Sequence, residues 1–295
     1  MRTAPLLAAF LLAAAAPAAP PDVAAYKAEI ESFHKDRETR LRTSEPWLKL
    51  VGLSWLSEGV NSVGSAPKSR VLLPKGKAPA TLGVIRLEKG VATFTSAPGA
   101  AVTSDGKPVT TVAMKSDGPT ALAHGTLKFF LIGRGSRIGV RVLDGEAPAL
   151  KTFSGIECFP IDPAWRLVAK FEAYTPKKKI EVPTNIIETT EKQESPGAVV
   201  FTKDGKTYRL DALVGGPKGE LFLVFGDQTN SKETYGGGRF LHTAVPSADG
   251  TVAVDFNRSI NPPCVFTPYA TCPLPPKENF LAVRVPAGEK TYGKR

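Results

Sequence analysis

WLKLVGLSWL, residues 47–56, opens a succession of short apolar runs: SRVLLP at 69–74, TLGVIRL at 81–87, VATFTS at 91–96, AAVTSDGKPV at 100–109, TLKFFLIGR at 126–134 and RIGVRVL at 137–143. Each run has the length of a strand, and Gly, Pro, Asp and Ser fill the gaps. Regular turn signals between short strands predict an antiparallel β-sandwich. The pattern resumes with RLVAKFEAY, AVVFTK, TYRLDALV, ELFLVFGD, RFLHTAV, TVAVDFN and FLAVRV. ELFLVFGD, at 220–227, is apolar on both faces and reads as a central strand. Between the two sets, GEAPAL and FSGIECFPIDPAW are irregular and contain Pro, which suggests a boundary near residues 145 to 155. The expected organisation is mainly β: a signal peptide over 1–19, an amphipathic helix over 22–45, a β-sandwich over 46–150 and a second antiparallel β domain with a Pro-rich loop over 151–295.

The composition agrees with short strands. Gly 27 and Pro 26 among 295 residues leave little room for long helices. A hydrophobic content of 42% with 22% charged residues fits a globular core and excludes global disorder, collagen and coiled coil. Three His (His34, His124, His242) and three Cys without paired spacing exclude the usual zinc signatures. No metal and no cofactor is expected.

Met1 to Ala19 has an early charge at Arg2, an apolar run and small residues around Ala16, Pro17 and Ala18, which is the pattern of a secretory signal peptide cleaved near Ala18 or Ala19. A periplasmic or extracellular location is expected, with no stable membrane anchor. The net charge of +10 comes from scattered basic residues, so nucleic acid is not an expected partner; envelope polymers, anionic surfaces or acidic small molecules are. The one dense run, Lys177-Lys178-Lys179 after Pro176, reads as a solvated turn. From Asp22 to Arg42 the apolar positions Val23, Tyr26, Ile30, Phe33 and Leu41 recur at helical spacing behind an Asp22 cap. That stripe skips Arg37, and His34 beside it reads as a surface residue.

SVGSAPKSRVLLP, SDGKPV and HGTLKFFLIGR resemble the strand order of the forkhead-associated sandwich. That resemblance implies the fold only. The family reads phosphothreonine with an Arg after its first Gly and with a Ser-x-x-His segment, whereas here Ser65 follows Gly64 and Ala80-Thr81-Leu82-Gly83 stands at the second place.

A second resemblance covers most of the chain. WLKLVGLSWLSEG, FSGIECFPIDPAW, GDQTNSKETYGGGRFLHTAV, PSADG and TVAVDFNRSINPPCVFTPYATCPLPPKENFLAVRVPAGEK together resemble an uncharacterised bacterial family, domain of unknown function sixteen-eighty-four. The family brings no activity, cofactor or catalytic residue with it, so the chemistry is read from the residues.

Gly236, Gly237 and Gly238 between Tyr235 and Arg239 fit either an anion-binding nest of amides or a tight bend at the start of a strand. Arg239 would add a guanidinium fork for carboxylate or phosphate. RFLHTAV, PSADG and TVAVDFN read as a hairpin, which would set Arg239 opposite Asn257 and diagonal to Asp255. That patch is either a ligand site or a structural salt bridge. The stretch from Asn257 to Glu278 holds six prolines and reads as a rigid ordered loop able to wall a pocket. Asp255 as base, Glu278 as acid and Tyr235 as hydrogen-bond donor are the candidate catalytic groups; Gly236, Gly237, Gly238, Arg239 and Asn257 are the candidate ligand-binding groups. Cys264 and Cys272, with seven residues between them, are either a disulfide stapling the loop or a buried unpaired pair. A Cys nucleophile is not expected, because His242 falls on the strand face opposite Arg239, and there is no GxSxG elbow. Two functions stay open: a metal-independent polar pocket that binds or hydrolyses a small anionic or polyhydroxylated ligand, small molecule or glycan, and a non-enzymatic envelope or interaction protein in which the same residues are structural.

Overall fold

The computed structural model describes residues 22–118, 120–185 and 190–293. The leader-like segment, Met1 to Ala19, lies outside the described residues.

Helix α1, Val23–Thr43, begins where the Asp22 carboxylate accepts the amides of Ala24 (2.9 Å) and Ala25 (3.3 Å), satisfying two of the four donors that a helix start leaves open. Its buried residues are Tyr26, Ile30, Arg37 and Leu41. Arg37 therefore belongs to the buried stripe, contrary to the sequence reading. Its charge is met by Glu45 and by Glu289, whose Oε1 lies 3.4 Å from Nε. His34 is half-buried beside the stripe, and its Nε2–H donates to the Asn257 carbonyl at 2.9 Å.

The next eleven strands are β1 Leu50–Trp55, β2 Gly59–Gly64, β3 Val71–Leu72, β4 Gly83–Glu88, β5 Val91–Ser96, β6 Thr103–Ser104, β7 Lys107–Pro108, β8 Thr111–Met114, β9 Leu122–His124, β10 Leu127–Arg134 and β11 Arg137–Asp144. They form a six-stranded sheet, β1-β11-β10-β9-β6-β7, and a five-stranded sheet, β3-β2-β4-β5-β8. Period-two alternation sends Ile85 and Leu87, Ala92 and Phe94, Phe129 and Leu131, and Val140 and Val142 into one shared core, so the expected sandwich forms. Phe94 and Phe129 meet edge to face across it at 5.7 Å. The β6–β7 hairpin turns on Asp105 and Gly106, both at positive φ (48° and 76°), the backbone that an Asp-Gly pair supplies at least cost.

After a short helix α2, Pro148–Thr152, come β12 Arg166–Pro183, β13 Thr190–Lys203, β14 Lys206–Val214, β15 Leu221–Asp227, β16 Arg239–Thr243, β17 Thr251–Asp255 and β18 Phe280–Leu281. The sheet runs β16-β15-β14-β13-β12-β17, with β18 pairing parallel to β15, and curls into a half-barrel. Its interior gathers Leu223, Phe225, Val254, Phe256 and their neighbours. A further apolar cluster joins the two halves, bringing Leu50 and Leu143 of the sandwich against Val182, Val224, Phe240 and Cys272.

Two local expectations change. Lys177-Lys178-Lys179 lie within β12 rather than in a turn, where Lys178 pairs with Asp211 and Lys177 with Glu194, each at 3.5 Å. And β16 and β17 do not pair as a hairpin. β16 pairs with β15, setting Arg239 opposite Phe225, while β17 pairs with β12, setting Asp255 opposite Arg166. The physical reason is burial: Val252, Val254 and Phe256 do form one apolar face, but that face fills the interior of the curl only when β17 closes the far edge beside Leu167 and Ala169.

Candidate functional site

The central strand β15 ends at Asp227, whose side chain is completely buried. Asp227 Oδ1 accepts the amide of Thr229 at 2.7 Å, and Oδ2 accepts Arg239 Nη2 at 2.6 Å. The Arg239 fork also donates to the carbonyls of Val285 (2.9 Å) and Ala287, and its plane lies 5.2 Å from the Phe225 ring centroid. Its Nε has no partner among the described residues. Arg239 is itself 0% exposed, and burial pulls its pKa down while Asp227 pushes it back. The partner of Arg239 is thus Asp227 and not Asp255, and the fork is consumed by the protein.

The three glycines form a bend at the start of β16. The Gly238 amide donates to the Tyr235 carbonyl at 3.1 Å, and Gly238, at φ 85°, is the only one of the three at positive φ. A Cβ there would fall 2.5 Å from Pro275 Cγ and 2.6 Å from the Phe225 carbonyl oxygen. Glycine is required because the Pro-rich loop and β15 both close on that point.

Asp255 and Asn257 are part of a second network. The Tyr26 hydroxyl donates to the Asp255 carboxylate, 2.9 and 3.0 Å from its two oxygens, and accepts Asn257 Nδ2 at 2.9 Å. Asn257 also bonds both backbone groups of Asp162, at 2.9 and 3.1 Å. Burial, reinforced by the Asp255 carboxylate, raises the pKa of Tyr26. Glu278 does not join these groups. It is exposed on the turn Lys277–Asn279, while its neighbour Asn279 is buried and bonds the Asp211 and Val224 carbonyls at 2.8 and 2.9 Å. A third network, Arg37–Glu289, has Asn261 N–H donating to Glu289 Oε2 at 2.6 Å, and burial raises the Glu289 pKa.

Sequence reasoning missed Tyr26, Arg37, Asn261 and Glu289 as members of these networks. For Tyr26 and Arg37 the signal was their helical spacing on one face with Ile30 and Leu41.

Cys264 and Cys272 lie side by side without a disulfide between them, the Cys264 amide donating to Cys272 Sγ at 3.2 Å. Cys158 forms no disulfide either, and burial together with the carboxylates of Glu289, Glu38 and Glu157 pushes its thiol up to about 12, far from the thiolate a nucleophile needs at neutral pH. Among the described residues no group of three or more His, Cys, Asp or Glu side chains is arranged to hold a metal ion, and no helix is long and apolar enough to cross a membrane.

The open part of this region lies above the buried pair. Thr229, held by Asp227, accepts the amides of Lys232, Glu233 and Thr234 through its carbonyl at 3.1, 2.9 and 3.1 Å. Thr229 and Thr234 also join hydroxyl to hydroxyl at 2.8 Å. The compact turn so formed carries Ser231, Lys232, Tyr235 and Gly236 to one wall of a cleft of about 500 Å³, with Glu157 and Thr291 on the other wall. A second cleft of about 550 Å³, bounded by Glu38, Gly155 and Tyr292, shares Glu157, Thr291 and Gly293 with the first. Glu157 is paired with Lys290, whereas the Lys232 ammonium has no carboxylate within 4.0 Å among the described residues. Of the sequence candidates, Tyr235 and Gly236 line this cleft.

Residues 151–290 match a family model described as Protein of unknown function (DUF1684). The matched family is the one that the sequence resembles, but the match is confined to the second half, and WLKLVGLSWLSEG, at 47–59, lies outside it. No curated protein matches the chain. Among solved structures it is similar to an uncharacterised protein of Haloarcula marismortui, 28% identical, covering 48% of this chain and 78% of that one with a TM-score of 0.40. It is weakly similar to an FHA domain from work on phosphothreonine-dependent interactions, 17% identical, covering 31% of this chain and 90% of that one with a TM-score of 0.23.

Proposed function

We propose that this is a binding protein of the cell envelope or extracellular space, whose ligand is a small polyhydroxylated molecule or glycan carrying an acidic group. The observation that carries the proposal is the cleft beside Tyr235 and Gly236, on a turn made rigid by Asp227. Its wall offers hydroxyls at Ser231 and Thr291, an aromatic ring at Tyr235 and an ammonium at Lys232, a mixture that suits sugar hydroxyls and one carboxylate. Hydrolysis is not included, since Asp255 is buried under Tyr26 and Glu278 stands apart on an exposed turn. Arg239, Asp255 and Asn257 serve as the frame that sets the turn and the neighbouring loops.

A thermal-shift screen against neutral sugars and sugar acids tests this, with wild type beside Lys232→Ala and Tyr235→Ala. A sugar acid should raise the wild-type midpoint, and either variant, melting normally without ligand, should bind it about tenfold more weakly. No shift with any sugar would sink the proposal. It would leave the reading in which this half is a non-enzymatic interaction module, which the engagement of both Arg239 Nη groups within the protein also favours.

A further inference from the structure

On the other flank of the Pro-rich loop, two arginines converge on one hydroxyl. Arg134, at the end of β10, donates through Nε to Thr271 Oγ1 at 2.9 Å, and Arg141, from the middle of β11, donates through Nη2 to the same oxygen at 3.2 Å. Neither guanidinium has a carboxylate within 4.0 Å among the described residues. Arg141 is buried, 9% exposed, beside the Trp47 ring, and its Nε is sealed from solvent with no acceptor among the described residues. Two like charges placed together without a counter-charge cost free energy. Burial and the neighbouring Arg134 accordingly lower the Arg141 pKa.

The hydroxyl shows what is missing. A threonine oxygen has two lone pairs and one proton. Both lone pairs of Thr271 are occupied by guanidinium donors, so its O–H can only donate, and among the described residues nothing accepts it. Arg134 spends Nη1 on the Gly133 carbonyl at 2.7 Å, and its Nη2 has no acceptor there either. Arg134 and Thr271 both line a pocket of about 320 Å³ whose other walls include Thr184 and Gln193. Glu191, the carboxylate in that lining, bonds to neither guanidinium.

We propose that this pocket is a receptor for a small oxyanion, a carboxylate or a phosphate group, bound by Arg134 and the Thr271 hydroxyl with the Arg141 charge behind them. The two arginines then have a counter-charge that none of the described residues supplies, and the fixed O–H has its acceptor. The site is separate from the cleft at Tyr235, and Lys232→Ala leaves it untouched.

The test is a titration of the purified chain with inorganic phosphate and, separately, with acetate, at constant ionic strength held with chloride, read as the change in melting midpoint and by equilibrium dialysis. Saturable binding of either anion, weakened about tenfold or more by Thr271→Val and by Arg134→Gln, is the expected result. Phosphate alone assigns the site to phosphate groups, and acetate alone assigns it to carboxylates. Should Thr271→Val fail to fold, Arg134→Gln carries the test, because Arg134 is only half-buried. Effects no larger than those of chloride, or binding unchanged in Arg134→Gln, would overturn the proposal.

Discussion

Between Val63 and Val142 the sandwich buries side chains that are almost all apolar, Phe94, Phe129, Ile85 and Val140 among them, whereas between Asp227 and Glu289 the chain buries Asp227, Arg239, Asp255, Asn257, Asn261, Asn279 and Glu289. The difference follows the backbone. In the sandwich, ladders of neighbouring strands satisfy the buried amides and carbonyls, so the side chains are free to be hydrocarbon. From 256 to 293 the chain is made of short turns, and polar side chains supply the partners that ladders do not: Arg239 for Val285 and Ala287, Asn279 for Asp211 and Val224, Glu289 for Asn261. The same rule operates once inside the sandwich. Asn61 is buried within β2, and its amide reaches back to the carbonyls of Ser57 and Gly59, where the chain enters the strand, at 2.8 and 3.1 Å, and across to that of Ile85 at 3.2 Å.

The comparison is broken or sharpened first at Arg239. Arg239→Ala strips the buried Asp227 of its counter-charge, leaves its Oδ2 and the Ala287 carbonyl without donors, and should cost about 3–5 kcal/mol in denaturant unfolding. Arg239→Lys should recover little of that, because a single ammonium cannot reproduce the fork. Phe129→Leu in the sandwich, by contrast, should cost less than about 1.5 kcal/mol. If Arg239→Lys proves as mild as Phe129→Leu, geometry is not what the second half depends on.

Tyr26→Phe is expected to cost about 1–2 kcal/mol, since it removes a donor from the buried Asp255 and keeps the ring packing. Hydrogen exchange should show the loss at α1 and at residues 255–258 while β10 and β11 keep their protection. An equal loss of protection in the sandwich would mean that the two regions are one cooperative unit.

The smallest effect is at Glu233, whose carboxylate meets Arg284 at 2.8 and 2.6 Å on an exposed face. The Arg284 hydrogen bonds hold its pKa below the ordinary value of 4.5. Its contribution is therefore present above that ordinary value and disappears as pH falls through the lowered one. Glu233→Gln should cost less than about 0.5 kcal/mol at neutral pH, shrinking towards zero in acid. A larger cost would give surface ion pairs a weight that the comparison assigns only to buried ones.

The strands of the sandwich were legible because each carries its own alternation and its own turn. Sheet order in the second half was less so. PSADG looks like a local hairpin turn, yet β17 pairs with β12, more than eighty residues upstream, because only there does its apolar face meet the interior. The site was legible in the same uneven way. Tyr235 and Gly236 stood out, and they line a cleft. Arg239 stood out too, but Asp227 and Asp255 are equally good partners on paper, and what decides between them is that Arg239 pairs opposite Phe225, two residues from Asp227. Tyr26 could not be linked to Asp255 from sequence, because nothing local connects residues 229 positions apart.

The clasp between α1 and the late loops also sets an order of events in time. Arg37 waits for Glu289, 252 residues downstream, so α1 cannot reach its final seat until nearly the whole chain has been synthesised, whereas every partner in the sandwich core has emerged by residue 142. Non-local contacts of that span come at a high cost in loop closure and form late. Until then the cluster around Leu41 holds Leu48 and Phe153 but not Phe266 or Tyr292, and it is this helix, rather than any strand of the sandwich, that a holding chaperone would find incompletely covered on a nascent chain.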